Sequence, residues 1–225
     1  MNYIMIGILW KGIDPKIRYK LNALFGRGPS YLKPYNDGNY LFIHIPKTAG
    51  TSVGEIVAHT GRPGHWTAEE YRSLNGKKFE KYFKFCFIRN PWDRLVSSYF
   101  YLKKGGKSER DAVFSNKFLK HLNSFEAFVY SLEKNNKLQN WVHFLPQTHF
   151  ICDCNGKLIV DFVGRFENLS EDFEEVRIRL GLSNVKLEWK NQSTRKDYKQ
   201  YYNEKTKTIV GDLYKTDIDL FGYKF

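Results

Sequence analysis

The sequence predicts an α/β fold, with a parallel sheet flanked by helices and one small antiparallel hairpin. Three observations predict it. Tyr40–Ile45 and Phe83–Ile88 are short runs of aromatic and β-branched residues, the composition of buried strands. Each run passes through a polar turn directly into a helical pattern, and repeated strand–turn–helix order favours parallel pairing with ligands at the carboxyl ends of the strands. Asn155-Gly156, between Phe150–Cys154 and Leu158–Val163, is a hairpin-turn signal.

In chain order, residues 1–38 are punctuated by Gly26, Gly28, Pro29, Pro34 and Gly38 and read as an irregular segment packed on a domain spanning 39–225. The apolar run Ile4–Trp10 is too short for a bilayer span and lacks the flanks of a signal peptide, so no transmembrane segment is expected. Pro46 stops the first strand, because proline cannot donate to a sheet ladder. Lys47–Ser52 then packs a cation, a glycine and three hydroxyls into one turn. Val53, Ile56 and Val57 share one face of the helix that follows, with Glu55 in its first turn and Gly61 as its stop. The free amides and positive dipole end of that helix make an anion site. Gly50 would let the backbone come close to a bound group. The order differs from a Walker A loop, in which the lysine follows the second glycine; Lys47 precedes Gly50.

Gly61–Trp66 is irregular and carries His65; Thr67 and Glu70 then form a capping box opening a short helix that should end near Gly76. After the second strand come Arg89, the N-cap residue Asn90 and an N1 proline, Pro91. Leu95, Tyr99 and Leu102 give the next helix its apolar face, and Gly105-Gly106 ends it. Residues 103–117 read as a polar connection. Ser124 caps a helix running to Leu132, and Trp141–Phe150 is an aromatic segment holding His143 and His149. Phe173, Val176 and Leu180 face inward from a helix over Glu171–Leu180, stopped by Gly181. A polar loop over 190–196 precedes helical segments at Tyr198–Tyr202 and Glu204–Tyr214.

The 225 residues are 42% hydrophobic, enough for a substantial core, and carry a formal net charge of +12. That charge favours an anionic partner: a phosphorylated cofactor, a polyanionic glycan, nucleic acid or a membrane surface. The chain has no RRM, zinc-finger or homeodomain signature, so nucleic acid is not the expected partner. Three cysteines are too few for a disulfide framework, and Cys152-x-Cys154 with a distant Cys86 is a poor metal pattern. They read as ordinary thiols of a reducing compartment, with no metal expected.

Phe42-Ile-His-Ile-Pro-Lys-Thr-Ala-Gly-Thr-Ser52 resembles the 5′-phosphosulfate loop of sulfotransferases that use 3′-phosphoadenosine-5′-phosphosulfate (PAPS). Phe87-Ile-Arg-Asn-Pro-Trp-Asp-Arg-Leu-Val-Ser97 resembles their 3′-phosphate motif. Leu145-Pro-Gln147, Arg165-Phe-Glu-Asn-Leu169 and Asp219-Leu-Phe-Gly-Tyr223 are further marks of the carbohydrate branch that includes heparan 2-O- and chondroitin sulfotransferases. The resemblance covers about Tyr40 to the C-terminus. It implies a P-loop-NTPase-like α/β fold and sulfonyl transfer from PAPS to a hydroxyl of a carbohydrate, a surface or capsular glycan. Lys47 would stabilise the bridging oxygen as the sulfonyl group leaves. Thr48, Ala49, Gly50, Thr51 and Ser52 would hold the 5′-phosphate, and Arg89 and Ser97 the 3′-phosphate. Ser193 and Arg195 in the late polar loop are further candidates for the 3′-phosphate.

His65 is the candidate general base: it lies between the two motifs in a Gly-His context that resembles that of the catalytic histidine of heparan 2-O-sulfotransferases, and imidazole has a near-neutral pKa. His44 reads as a buried, hydrogen-bonded histidine, and His143 and His149 either line an acceptor cleft or pack. Glu55 is the carboxylate fallback. Glu167 reads as a structural acceptor. Asp161 superficially resembles a Walker B aspartate, a reading discounted because the hairpin would make its strand antiparallel. The competing functions are a basic glycan- or nucleic-acid-binding module with a degenerate cofactor site, and a sulfotransferase with a lipid or protein acceptor. The glycan acceptor itself can be anionic or neutral, and PAP is the expected product ligand. The expected location is cytoplasmic, or peripheral at the membrane.

Overall fold

The computed structural model describes residues 28–60, 63–183, 185, 187 and 195–225. In chain order the elements are α1 (Lys33–Gly38), β1 (Tyr40–Ile43), α2 (Gly50–Val57), α3 (Ala68–Leu74), α4 (Gly76–Lys81), β2 (Phe83–Ile88), α5 (Pro91–Lys103), α6 (Glu109–Phe118), α7 (Phe125–Lys134), α8 (Asn136–Gln139), α9 (Thr148–Ile151), β3 (Phe162–Arg165), α10 (Leu169–Arg179), α11 (Glu204–Leu213) and α12 (Lys215–Phe221). Short 3₁₀ turns at Phe166–Asn168 and Tyr198–Tyr201 complete them. The described residues divide into two compact units, residues 28–89 with 147–187 and residues 90–146 with 195–225.

The first unit is built on a three-stranded sheet in the order β1-β2-β3. Both pairings are parallel, with Phe42 opposite Phe85 and Phe85 opposite Phe162. Leu41, Phe42, Ile43, Phe85, Cys86 and Phe87 are buried, and burial pushes the Cys86 thiol pKa up. Strands covered on both faces read as continuous apolar runs, which is why these two were legible. Lys84 is the buried exception. Its Nζ donates to the carbonyls of Phe79 and Tyr82 and pairs with Asp161 at 2.9 Å. Asp161 also accepts the Lys84 amide at 2.7 Å. Asp161 therefore stitches β2 to the segment entering β3.

Several elements differ from the sequence expectation. The hairpin shrinks to a single antiparallel bridge, Cys152 to Leu158, because Thr148–Ile151 coils into α9 and β3 starts later, at Phe162. β3 is parallel to β2, so Asp161 is set aside by its bond to Lys84 and not by strand direction. Residues 103–117 contain most of α6, whose N-cap Ser108 accepts the Asp111 amide. Lys33–Gly38 is helical. α3 ends at Leu74, near Gly76 as expected, but Asn75 then caps a second short helix, α4, that was not expected. α2 begins at Gly50, which puts Glu55 in its second turn; Gly61 lies outside the described residues.

The second unit is helical. Leu95, Val96, Tyr99 and Leu102 of α5 are buried, as are Phe125, Phe128, Val129 and Leu132 of α7. The Tyr99 and Phe128 rings stack at 5.0 Å. Asp111 of α6 is the buried polar centre: it pairs with His143 and accepts from the hydroxyls of Tyr101 and Ser108. Burial works against its charge, but the bond to His143 and those from Ser108 and Tyr101 prevail and lower its pKa to about 2. His143 is thus part of the packing. Among the described residues no helix is long and apolar enough to cross a membrane.

Candidate active site

Residues 44–49 lead from β1 into α2. Lys47 and Ala49 have φ of 71° and 66°, with Thr48 between them outside the positive range. A left-handed conformation costs a non-glycine residue about 1–2 kcal/mol. Such strain persists only where the surroundings over-determine it, and it clusters at functional sites. Left-handed Ala49 is followed by helical Gly50, and such a pair turns successive amides to one side, a concavity suited to anions. Ala49 is the N-cap of α2 and supplies no side-chain cap. The loop is braced by Thr48, fully buried, whose hydroxyl donates to the Ile45 carbonyl at 2.9 Å. That hydroxyl proton is committed to the loop, so Thr48 can serve an anion through its backbone. Thr51 is half-buried and Ser52 buried.

Gly50 is required by a neighbour. A Cβ there would fall 1.8 Å from His44 Cδ2 and 1.9 Å from His44 Nε2. The group that the backbone approaches is the His44 imidazole, a contact that sequence reading had reserved for a ligand. His44 Nδ1 donates to the Gly64 carbonyl at 3.1 Å, and His65 Nδ1 donates to the His44 carbonyl at 3.1 Å. The two rings lie 4.3 Å apart, centre to centre. Each histidine thereby bonds the segment that carries the other. Because a carbonyl only accepts, His65 Nδ1 carries the proton in the neutral ring, and Nε2 carries the lone pair a general base needs.

Arg89 directly follows β2 and is buried. Its amide donates to Gln147 Oε1 at 2.8 Å, and Gln147 Nε2 donates back to the Arg89 carbonyl at 2.9 Å. The guanidinium carbon lies 3.8 Å from the centre of the Phe166 ring, and Nη1 donates to the Lys47 carbonyl at 3.1 Å. The structure therefore brings Lys47, the turn over 48–52, His44, His65 and Arg89 together in the first unit. Neither the Phe166 stack nor the Gln147 bonds were foreseen; the marks Leu145-Pro-Gln147 and Arg165–Leu169 pointed at these positions without giving them a task.

Ser97 lies on α5 in the second unit, half-buried. Arg195 forms an ion pair with Asp93, in the first turn of α5. Asp93 and Ser97 are four residues apart on that helix and share a face, so Arg195 is held one turn from Ser97. Ser193 lies outside the described residues. Trp141, at the start of the aromatic segment that leads into α9, has one face on Phe114 at 3.9 Å. Among the described residues no group of three or more His, Cys, Asp or Glu is arranged to hold a metal ion.

A family model described as "Sulfotransferase family" matches residues 36–224. An uncharacterized protein of Archaeoglobus fulgidus is 39% identical to the chain over 113 residues, 49% of this chain and 78% of that protein. No solved structure matches the chain.

Proposed function

The chain belongs to the sulfotransferase family, and on that premise we propose that it moves the sulfonyl group of PAPS to a hydroxyl of a carbohydrate acceptor, a surface or capsular glycan, by in-line transfer. Membership carries sulfonyl transfer in general; the donor, the acceptor and the residue roles are the proposal. One observation supports the donor above the rest: Arg89 Nη1 reaches the Lys47 carbonyl at 3.1 Å. Two anion-gripping corners formed by separate strands thus adjoin, as a nucleotide with phosphates at both ends would require.

The residues present fit such a donor. The left-handed turn and the N-terminus of α2 offer amides to a 5′-phosphate through Lys47, Thr48, Ala49, Gly50, Thr51 and Ser52. Arg89 offers a planar, permanently charged fork to the 3′-phosphate, with Ser97, Ser193 and Arg195 assigned to the same phosphate by the family resemblance. PAPS, when bound, supplies an activated sulfonyl group. The Lys47 ammonium would neutralise charge growing on the departing phosphate. Sulfonyl transfer is taken to pass through a loose transition state like that of phosphoryl transfer, so positioning and fixed positive charge do most of the work. His65 Nε2 would take the acceptor hydroxyl's proton, worth about 10²–10⁴-fold in rate. His65 Nδ1 donates to the His44 carbonyl, which places the lone pair of the neutral ring on Nε2.

Incubation with labelled PAPS and a panel of neutral, uronic-acid and sulfated glycans, lipids and tyrosine peptides tests this reading. Label is expected on a glycan. Label on a lipid or peptide alone would replace the acceptor class, and glycan binding without transfer would favour a binding module. Lys47→Ala should lose about 10²-fold or more in rate, and His65→Ala about 10²–10⁴-fold. A wild-type rate in Lys47→Ala removes the role given to that residue. The enzyme is proposed to be cytoplasmic or peripheral at the membrane; recovery from outside the cytoplasm on cell fractionation would overturn that.

A further inference from the structure

We propose that Phe166 and Gln147 are positioning residues that set selectivity for a nucleotide bearing a 3′-phosphate. They act by fixing the side chain and backbone of Arg89. The inference rests on the reading of Arg89 as the 3′-phosphate ligand and goes beyond it in saying what makes that arginine selective.

An arginine on a flexible stem loses rotamer freedom when it grips a phosphate. A guanidinium already held in place loses less, and the difference appears as affinity for the anion it faces. Three of its contacts hold Arg89. The Phe166 ring lies 3.8 Å from the guanidinium carbon, close enough to set the plane of the fork. The Lys47 carbonyl takes Nη1 at 3.1 Å, which fixes its rotation within that plane. Gln147, with no exposed surface, bonds both the amide and the carbonyl of Arg89 at 2.8 and 2.9 Å. That pair continues the hydrogen-bond ladder one residue beyond Ile88, where β2 ends, and fixes the direction in which the Arg89 side chain leaves the backbone.

The three restraints differ in what they can affect. Phe166 touches the charged end of Arg89, so its loss should weaken ligands that use that end and spare those that do not. PAP uses it and AMP does not. The ratio of PAP to AMP affinity is therefore the measure of the inference, and it is read by binding, without turnover.

The experiment is calorimetric titration of the full chain with PAP and with AMP, on wild type, Phe166→Leu, Phe166→Tyr and Gln147→Glu, with thermal melts alongside. Wild type should prefer PAP. A cation–π contact of this kind is worth about 0.5–2 kcal/mol, so Phe166→Leu should shrink the ratio about tenfold by weakening PAP alone. Phe166→Tyr, which keeps the aromatic face, should restore it. Gln147→Glu keeps an acceptor for the Arg89 amide but loses the donor to the Arg89 carbonyl, and should also shrink the ratio. Phe166 is half-buried, so its variants are expected to fold; Gln147→Glu reports on the same ratio from the other side of Arg89. A wild-type ratio in both Phe166→Leu and Gln147→Glu overturns the inference and leaves the PAPS reading standing. So does an equal loss of PAP and AMP affinity, which would mark the two residues as general packing. Equal affinity of wild type for PAP and AMP defeats the 3′-phosphate reading of Arg89 itself, and the inference with it.

Discussion

Two strand-to-helix turns share one plan in the sequence and solve it in opposite ways. Between β1 and α2, residues 44–49 wind through left-handed Lys47 and Ala49, and the helix starts with no side-chain cap. Between β2 and α5 only Arg89 and Asn90 intervene, and Asn90 Oδ1 accepts the amides of Trp92 at 3.1 Å and Asp93 at 3.4 Å. Under the function proposed above, the first turn would offer its helix amides to the donor. The second uses its own amides for its own stability, so any grip on an anion there has to come from side chains. One corner is backbone chemistry under strain; the other is side-chain chemistry on a relaxed frame.

The largest effect that could break this contrast is expected at the first turn. Gly50→Ala drives a methyl into the His44 ring, an overpacking worth about 1–3 kcal/mol, and displaces both the turn and the carbonyl that holds His65. PAP affinity and transfer rate should fall together, and retention of both would show that the turn has slack. At the second turn Asn90→Ala should lower stability by about 1 kcal/mol through loss of the cap, with a smaller effect on PAP binding. A denaturant melt and a titration separate the two outcomes.

Acid should sharpen the contrast from the α5 side. Asp111, in the unit that carries α5, has its pKa lowered to about 2, so its contribution is complete above the ordinary carboxylate range and disappears as pH falls through about 2. Melts between pH 5 and pH 2 should show a decline that Asp111→Asn flattens. The smallest effect is expected from Ala49→Gly. It relieves a left-handed residue but frees the unfolded chain, for a net gain of about 0.5 kcal/mol. A loss of stability instead would mean that the Ala49 methyl makes contacts worth more than the strain.

Both turns were legible because their signals are local. Pro46, the hydroxyl-rich turn, Asn90-Pro91 and the Thr67–Glu70 box are each read within a few residues, and the box forms with both its bonds. α6 was missed although Ser108 and Asp111 offered a cap, because its inward side carries the charged Asp111 beside Phe114 and no clean apolar stripe. The hairpin was over-read: Asn155-Gly156 does turn the chain, but Phe150 and Ile151 bury themselves from a helix. What decides the site was hidden because its partners are set by packing and not by local pattern. Gln147 meets Arg89 across 58 residues, and Gly50 answers to His44, six positions earlier in the sequence but stacked against it in space. Composition names such residues and only packing gives them partners.

The crossed bonds from His44 to the Gly64 carbonyl and from His65 to the His44 carbonyl make the loop before α2 and the segment before α3 a single gauge. Under the function proposed above, whatever moves the donor's cradle carries the base with it, and the spacing between them is inherited as one part. Surfaces elsewhere could then be rebuilt for a different acceptor while the reaction kept its calibration, which makes this enzyme a reasonable starting frame for redirecting sulfation to a new hydroxyl.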